Sequence, residues 1–191
     1  MAITQAPFDN RFTRAFGLPV ERIQQKTRPH LTDALKAFIR ESPMLVMATS
    51  DRAGHCDASP KGGLQGFVRI LDDHHLMVPD VAGNKLFQSY LNMDENPHVG
   101  LLFLIPGLPE VVRVNGRVTI VEKAELDAQG VDGARHDPDE ARDVIQGIVV
   151  EIEEAYTHCP RALNYSQLWD TAEIERRQAS GAHPLRAPAP A

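Results

Sequence analysis

Long hydrophobic runs are absent from this chain. No apolar stretch reaches the 18 residues or more that a membrane-spanning helix needs. Residues 1–10 are polar and mixed, so they lack the basic segment followed by an apolar one that marks a secretory leader. These two absences predict a cytoplasmic protein without a membrane partner.

Cysteine is scarce as well. The chain contains two, Cys56 and Cys159, which lie far apart and form no disulfide framework, as expected in a reducing compartment. Each follows a histidine, but adjacent residues of a strand point to opposite faces, so we predict no metal site. Nothing marks Cys159 as an activated nucleophile, and we interpret it as a small buried hydrophobic residue.

An excess of positive charge is also missing. The chain has 20 lysines and arginines against 26 aspartates and glutamates, for a formal net charge of -6. Nucleic acids and anionic membranes need a cationic face that displaces their counterions, so this balance argues against both partners. Any positively charged site must therefore be local.

What remains is ordinary globular sequence, sufficient for one core. Of the 191 residues, 42% are hydrophobic and 24% are charged. We expect an N-terminal extension over residues 1–30, a single domain over residues 31–176, and a flexible tail rich in proline and alanine over residues 177–191.

Short strands separated by turn residues dominate the predicted domain. A helix that Thr32 caps and Pro43 ends comes first, and Asp51-Arg-Ala-Gly54 closes the first hairpin. Predicted strands occupy residues 44–49, 57–62, 66–71, 75–79, 97–105, 111–121 and 148–156. A short helix over 122–130 and a loop with a helical turn over 131–142 precede the last strand. About six antiparallel strands with helices at their ends favour a mainly β fold and a small barrel.

The return arm of the first hairpin carries a candidate anion site. Because side chains alternate along a strand, Asp57, Ser59 and Lys61 share one face, which places a hydroxyl group beside an ammonium group. That pair suits a phosphate. The same residues also fit a solvated strand end followed by a turn, and by themselves they leave both interpretations open.

A second cation lies at the predicted start of a later helix. Asn84 is a suitable N-cap, and Leu86, Phe87, Tyr90 and Leu91 would then share one helical side. Lys85 would fall in the first turn, where the helix N–H groups disfavour a cation unless an anion binds there. The alternative is a lysine that points into solvent.

A series of short motifs gives the chain a family resemblance. In chain order they are Asp57-Ala-Ser-Pro-Lys-Gly62, Gly66-Phe-Val-Arg69, Val78-Pro-Asp80, Gly83-Asn-Lys85, Glu95-Asn-Pro-His-Val-Gly-Leu-Leu-Phe103, Arg113-Val-Asn-Gly-Arg117 and His158-Cys-Pro-Arg-Ala162 with Leu168-Trp169. Together they resemble the pyridoxamine 5'-phosphate oxidase-related, FMN-binding split-barrel family, and more narrowly its bacterial branch of uncharacterised FMN-dependent proteins.

The resemblance implies a six-stranded antiparallel split β-barrel with peripheral helices. It further implies a homodimer that binds FMN noncovalently at its interface and acts as an FMN-dependent oxidoreductase on an unidentified small molecule. Two alternatives stay open: a flavin- or other cofactor-binding module without its own turnover, and a haem-handling split barrel. No catalytic residue is assigned.

The resemblance also implies a set of cofactor-binding residues. Ser59, Pro60 and Lys61 would run along the flavin and its phosphate, Asn84 and Lys85 would grip the phosphate, and Val78 and Pro79 would pass beneath the ring. In the C-terminal segment, Arg161, Tyr165 and Trp169 would either close over their own barrel or reach the partner's flavin, and the resemblance favours the partner's flavin. Arg113 is a further candidate, because a cation near the flavin N1 stabilises the reduced ring; a surface arginine paired with a carboxylate is the alternative.

Two departures separate the chain from the true oxidase. Ser59-Pro-Lys-Gly62 replaces the basic, aliphatic signature of that strand, and Asn84 stands where an arginine is usual. Lys61 and Lys85 still supply two charges for one phosphate dianion. We therefore expect an FMN site but leave the substrate open.

Overall fold

The computed structural model describes residues 8–81, 85–128, 130, 144–181 and 183–185. The strands in this part of the chain are β1 (Met44–Ser50), β2 (Cys56–Gly62), β3 (Arg69–Ile70), β4 (His75–Val81), β5 (His98–Leu104), β6 (Val111–Glu122) and β7 (Val144–His158). The helices are α1 (Arg11–Phe16), α2 (Glu21–Gln24), α3 (Asp33–Glu41), α4 (Gln88–Glu95), α5 (Lys123–Ala128), α6 (Arg161–Tyr165) and α7 (Thr171–Ser180).

Within the described residues, seven antiparallel strands form one sheet in the order β2-β1-β5-β6-β7-β4-β3. The predicted mainly β fold with peripheral helices is confirmed, with seven strands rather than six. The strand predicted over 66–71 is shortened to β3, because Gly66 turns the chain there with a φ of 78°.

The core lies between the inner face of the sheet and α3. Thr32 caps α3 as predicted, since its side chain accepts a hydrogen bond from the Leu35 N–H. Leu35 and Ile39 of α3 are buried in the same core cluster as alternate residues of β1, β5, β6 and β7. These alternating positions include Leu45, Met47, Leu101, Phe103, Val112, Val114, Val150 and Ile152. One continuous core therefore joins distant strands of the sheet.

The opposite side of β1, β2 and β5, which we call the outer face, is apolar but only partly covered. Val46 pairs with Leu102, and Ala48 pairs with Ala58, so these four side chains lie together. Val46 and Leu102 are half-buried, while both alanines are exposed. The consecutive apolar residues of β5 predict burial of both of its faces. In the single chain the inner face of β5 is buried more completely than its outer face.

The helix after β4 differs from its prediction. It begins at Gln88 rather than at residue 84 or 85, because Lys85 and Phe87 adopt left-handed backbone angles, with φ of 59° and 51°. Lys85 therefore lies before the helix, and Asn84 lies outside the described residues. Ser89 and Met93 form the buried side of α4, whereas Leu86 and Leu91 are exposed. The predicted N-cap and apolar side are thus wrong.

The remaining segments follow the sequence more closely. The predicted short helix after β6 is confirmed as α5, and the predicted loop with a helical turn over 131–142 lies outside the described residues. At the C-terminal end, α7 continues past residue 177, where the predicted tail begins. None of the described helices combines the length and the apolar character that crossing a membrane requires.

Gly116 lies at an irregularity between β6 and β7. The register shifts there, because Asn115 pairs with Glu154 while Gly116 pairs with Ile152. A Cβ atom on Gly116 would lie 2.1 Å from the backbone oxygen of Glu151. The close approach of the two backbones therefore requires glycine.

We predict that Gly116→Ala lowers the free energy of unfolding by roughly 3 kcal/mol or more, because the clash is with backbone rather than with a movable side chain. Denaturant unfolding measures this change. Gly100→Ala is the control, since its nearest neighbour would be the Asn115 side chain at 3.3 Å. Equal losses in the two variants would contradict the prediction.

Candidate functional site

A cavity of about 380 Å³ lies between residues 59–62 of β2, residues 79–81 of β4 and the segment 85–90. β2 forms one edge of the sheet, and β4 lies next to the opposite edge. The cavity therefore occupies the gap between the two ends of the sheet. Its size falls in the range of small-molecule sites, which is about 300–1,000 Å³.

An ion pair spans this gap. The Lys61 ammonium donates a hydrogen bond to Oδ1 of Asp80 over 3.0 Å, and the two side chains are only 24% and 17% exposed. Tyr90 of α4 also hydrogen-bonds to Asp80. Burial, and then the Asp80 charge, raises the pKa of Tyr90, so its phenol stays protonated and donates to the carboxylate.

A second polar cluster connects β2 to α4. The Ser59 hydroxyl donates to Oδ2 of Asp57 over 3.0 Å, and the Ser89 hydroxyl donates to the same oxygen over 2.5 Å. The two hydroxyl oxygens are 3.1 Å apart. Ser89 is buried, whereas Asp57 is half-buried. Asp57 and Ser59 share one face of β2, as alternation along the strand requires.

Lys85 is the second lysine at the cavity. It is exposed and has no ion-pair partner among the residues that the structure describes. Its left-handed backbone places it before α4 rather than in the first helical turn. The cavity thus contains two lysines in different states. Lys61 is already paired with Asp80, whereas the charge of Lys85 is available to an anion.

Five of the predicted cofactor-binding residues line this cavity: Ser59, Pro60, Lys61, Pro79 and Lys85. Val78 is adjacent in sequence, but its side chain is buried in the core. Asn84 is outside the described residues. The structure therefore brings the two predicted lysines together at one cavity, although they lie on different elements.

Arg113 lies elsewhere, on the side of β6 that faces away from the core. Its guanidinium group donates to the Tyr156 hydroxyl over 3.0 Å and lies 5.7 Å from the centre of that ring. Its neighbour is thus an aromatic residue of β7 rather than the carboxylate of the alternative interpretation.

The two predicted residues of the C-terminal segment also lie away from this cavity. Arg161 is exposed at the start of α6. Trp169 lines a separate cavity with Gly107, Pro109 and Leu163. Its indole nitrogen is buried and has no hydrogen-bond acceptor in the described part of the chain. A buried donor without an acceptor costs about 1–3 kcal/mol.

Sequence reasoning did not place Asp80, Ser89 and Tyr90 at the site, although all three line the cavity and make polar contacts there. Asp80 is present in the motif Val78-Pro-Asp80, but the motif does not reveal that the carboxylate contacts Lys61 across the gap.

The interpretation of Cys159 as a buried residue is wrong. Cys159 is exposed, because it follows the last paired residue of β7. In the described residues, no group of three histidine, cysteine or acidic side chains is arranged to hold a metal ion.

Comparison with known families decides the classification. A family model described as pyridoxamine 5'-phosphate oxidase matches residues 31–159. The chain belongs to this family. No curated protein matches the sequence.

Solved structures of this fold are similar to the chain at low sequence identity. A candidate pyridoxamine 5'-phosphate oxidase from Lactobacillus delbrueckii is 20% identical, with a TM-score of 0.51 over 69% of this chain and 98% of that one. The HupZ protein of Group A Streptococcus is 19% identical, with a TM-score of 0.49 over 66% and 93% of the two chains. An F420 reductase is 17% identical, with a TM-score of 0.45 over 64% and 95%. The Lactobacillus structure confirms the split-barrel fold for this family member.

We predict that Ser89→Ala lowers the free energy of unfolding by roughly 1.5–3 kcal/mol, because the half-buried Asp57 carboxylate loses the hydrogen bond from the buried Ser89 hydroxyl. Denaturant unfolding measures the loss, and hydrogen exchange in α4 locates it. Ser166→Ala is the control, since Ser166 is exposed and bonds only within its own turn. An unchanged stability for Ser89→Ala would show that water replaces the hydroxyl.

Proposed function

We propose that the protein is an FMN-dependent oxidoreductase that acts on a small molecule. The observation that carries the proposal is the cavity between the sheet ends, where Lys61 and Lys85 converge in a member of the pyridoxamine 5'-phosphate oxidase family. When bound, the flavin supplies the hydride chemistry, and the protein supplies binding and orientation.

The residues of the cavity fit a phosphate-bearing ligand. Two ammonium groups match the charge of a phosphate dianion, and the nearby Ser59 hydroxyl adds a polar group. Phe67 and Pro79 are buried and add apolar walls to the cavity. Asp80 disfavours a phosphate in this cavity, because its carboxylate already forms an ion pair with Lys61.

A visible absorption spectrum of the purified protein tests the proposal. Flavin bands, together with release of FMN on denaturation, are the expected result. Bleaching of those bands by an added reduced nicotinamide would distinguish an oxidoreductase from a binding module without turnover. A Soret band would favour haem handling instead, and a colourless protein that ignores added FMN would contradict the proposal.

We also propose that the protein is a homodimer and that its two chains share the cofactor site. The outer face presents half-buried and exposed apolar side chains, which a second copy would cover. Neither α6 nor α7 contains a buried residue, so this segment is available to pack against a partner. The buried indole nitrogen of Trp169 lacks an acceptor within the described chain, which a rearrangement at the interface would supply.

We further propose a cytoplasmic location, on the evidence of the two cysteines. Cys56 and Cys159 are free and exposed, and such thiols persist in a reducing compartment.

We predict that Lys61→Ala and Lys85→Ala each weaken FMN binding about tenfold or more, because each removes a charge-assisted contact worth roughly 1.5–3 kcal/mol. Quenching of flavin fluorescence during titration of the apoprotein measures the affinity. Lys123→Ala is the matched control, since Lys123 pairs with Asp127 on α5 outside the cavity. Unchanged affinity in both cavity variants would reject the phosphate assignment.

We further predict that dilution releases FMN in parallel with dissociation of the dimer. Analytical ultracentrifugation, monitored at the flavin absorbance, follows both events in one experiment. Trp169→Ala should raise the dissociation constant for FMN about tenfold, whereas Trp169→Phe keeps the ring bulk and isolates the contribution of the indole N–H. A monomer that retains FMN stoichiometrically at micromolar concentration would refute the shared site.

A further inference from the structure

Asp80 occupies the position where an anionic ligand would meet Lys61. Its Oδ1 lies 3.0 Å from the Lys61 ammonium, at the wall of the cavity that also carries Lys85. Both side chains of the pair are largely shielded from solvent. The cavity therefore contains a carboxylate that already provides the contact a phosphate oxygen would make.

A phosphate cannot bind beside Lys61 without disturbing the ion pair between Lys61 and Asp80. A dianion near Lys61 would stand next to the negative charge of Asp80, and water screens that repulsion poorly at a partly buried site. The ammonium has three donor protons and could bond to both acceptors, so the opposition comes from the two anions, which repel each other beside one cation. Binding of a phosphate thus competes with the ion pair.

We propose that Asp80 is an internal competitor of the ligand's phosphate for Lys61, and that Lys61 exchanges Asp80 for the phosphate when a phosphate-bearing ligand binds. This inference rests on the proposed function. It assigns Asp80 a role in setting affinity: the carboxylate lowers the affinity for every ligand that carries a phosphate and leaves the binding of the uncharged ring unchanged.

Tyr90 makes this exchange possible. Its hydroxyl donates to Asp80, so the carboxylate keeps a hydrogen bond after Lys61 has left. Burial raises the pKa of Tyr90, and the phenol therefore remains a donor at neutral pH. Lys85 supplies a second cation at the same cavity, so the charge added by the phosphate is balanced when Lys61 turns from one anion to the other.

Asp80→Asn tests the proposal, because it removes the charge while preserving the shape of the side chain. We expect FMN to bind this variant about tenfold more tightly than the unaltered protein. Riboflavin lacks the phosphate, so its affinity should not change. Inorganic phosphate should also compete more effectively with FMN in the variant. Asp73→Asn is the matched control, since Asp73 pairs with Lys36 away from the cavity.

Each outcome decides the matter. Equal or weaker FMN binding by Asp80→Asn, in a protein whose Lys61→Ala variant loses FMN, would show that Asp80 only holds the sheet ends together and would overturn the competition. A parallel change for FMN and riboflavin would overturn it as well. If the unaltered protein binds no FMN, both the proposed function and this inference fail. Asp80→Ser removes the same charge with a smaller polar side chain and serves if the asparagine variant does not fold.

Discussion

The ion pair between Lys61 and Asp80 links β2 and β4, two strands that are not hydrogen-bonded neighbours in the described sheet. β2 and β4 lie near opposite ends of the strand order, so the gap between them is bridged by side chains from both strands and from α4. The cavity exists because this gap is bridged but not filled. The position of Lys61, and the access of any ligand to it, therefore depends on a few polar contacts.

Strand periodicity explains which parts of the structure follow from sequence. The hairpin of β1 and β2, the shared face of Asp57, Ser59 and Lys61, and the inward residues Val150 and Ile152 of β7 all follow from alternation. Such local patterns depend on neighbours within one element. The sequence therefore predicts the faces of the strands well, and it predicts which residues are available to a site.

Contacts across the gap depend on closure of the whole sheet and are not predictable in this way. The spacing of apolar residues after β4 favours a helix from residue 84, but left-handed angles at Lys85 and Phe87 delay it to Gln88. That delay places Ser89 and Tyr90 where they meet Asp57 and Asp80. No local sequence pattern predicts these two contacts, because the partners lie on separate elements that the fold brings together.

The chain has a single tryptophan, and it lies in the C-terminal segment rather than in the barrel. All indole emission of the protein therefore originates at Trp169, beside the Gly107 turn. Its wavelength is sensitive to water and hydrogen bonding around one nitrogen that is buried and unsatisfied in the described chain. The molecule thus contains an intrinsic optical reporter of its C-terminal segment, which needs no attached label.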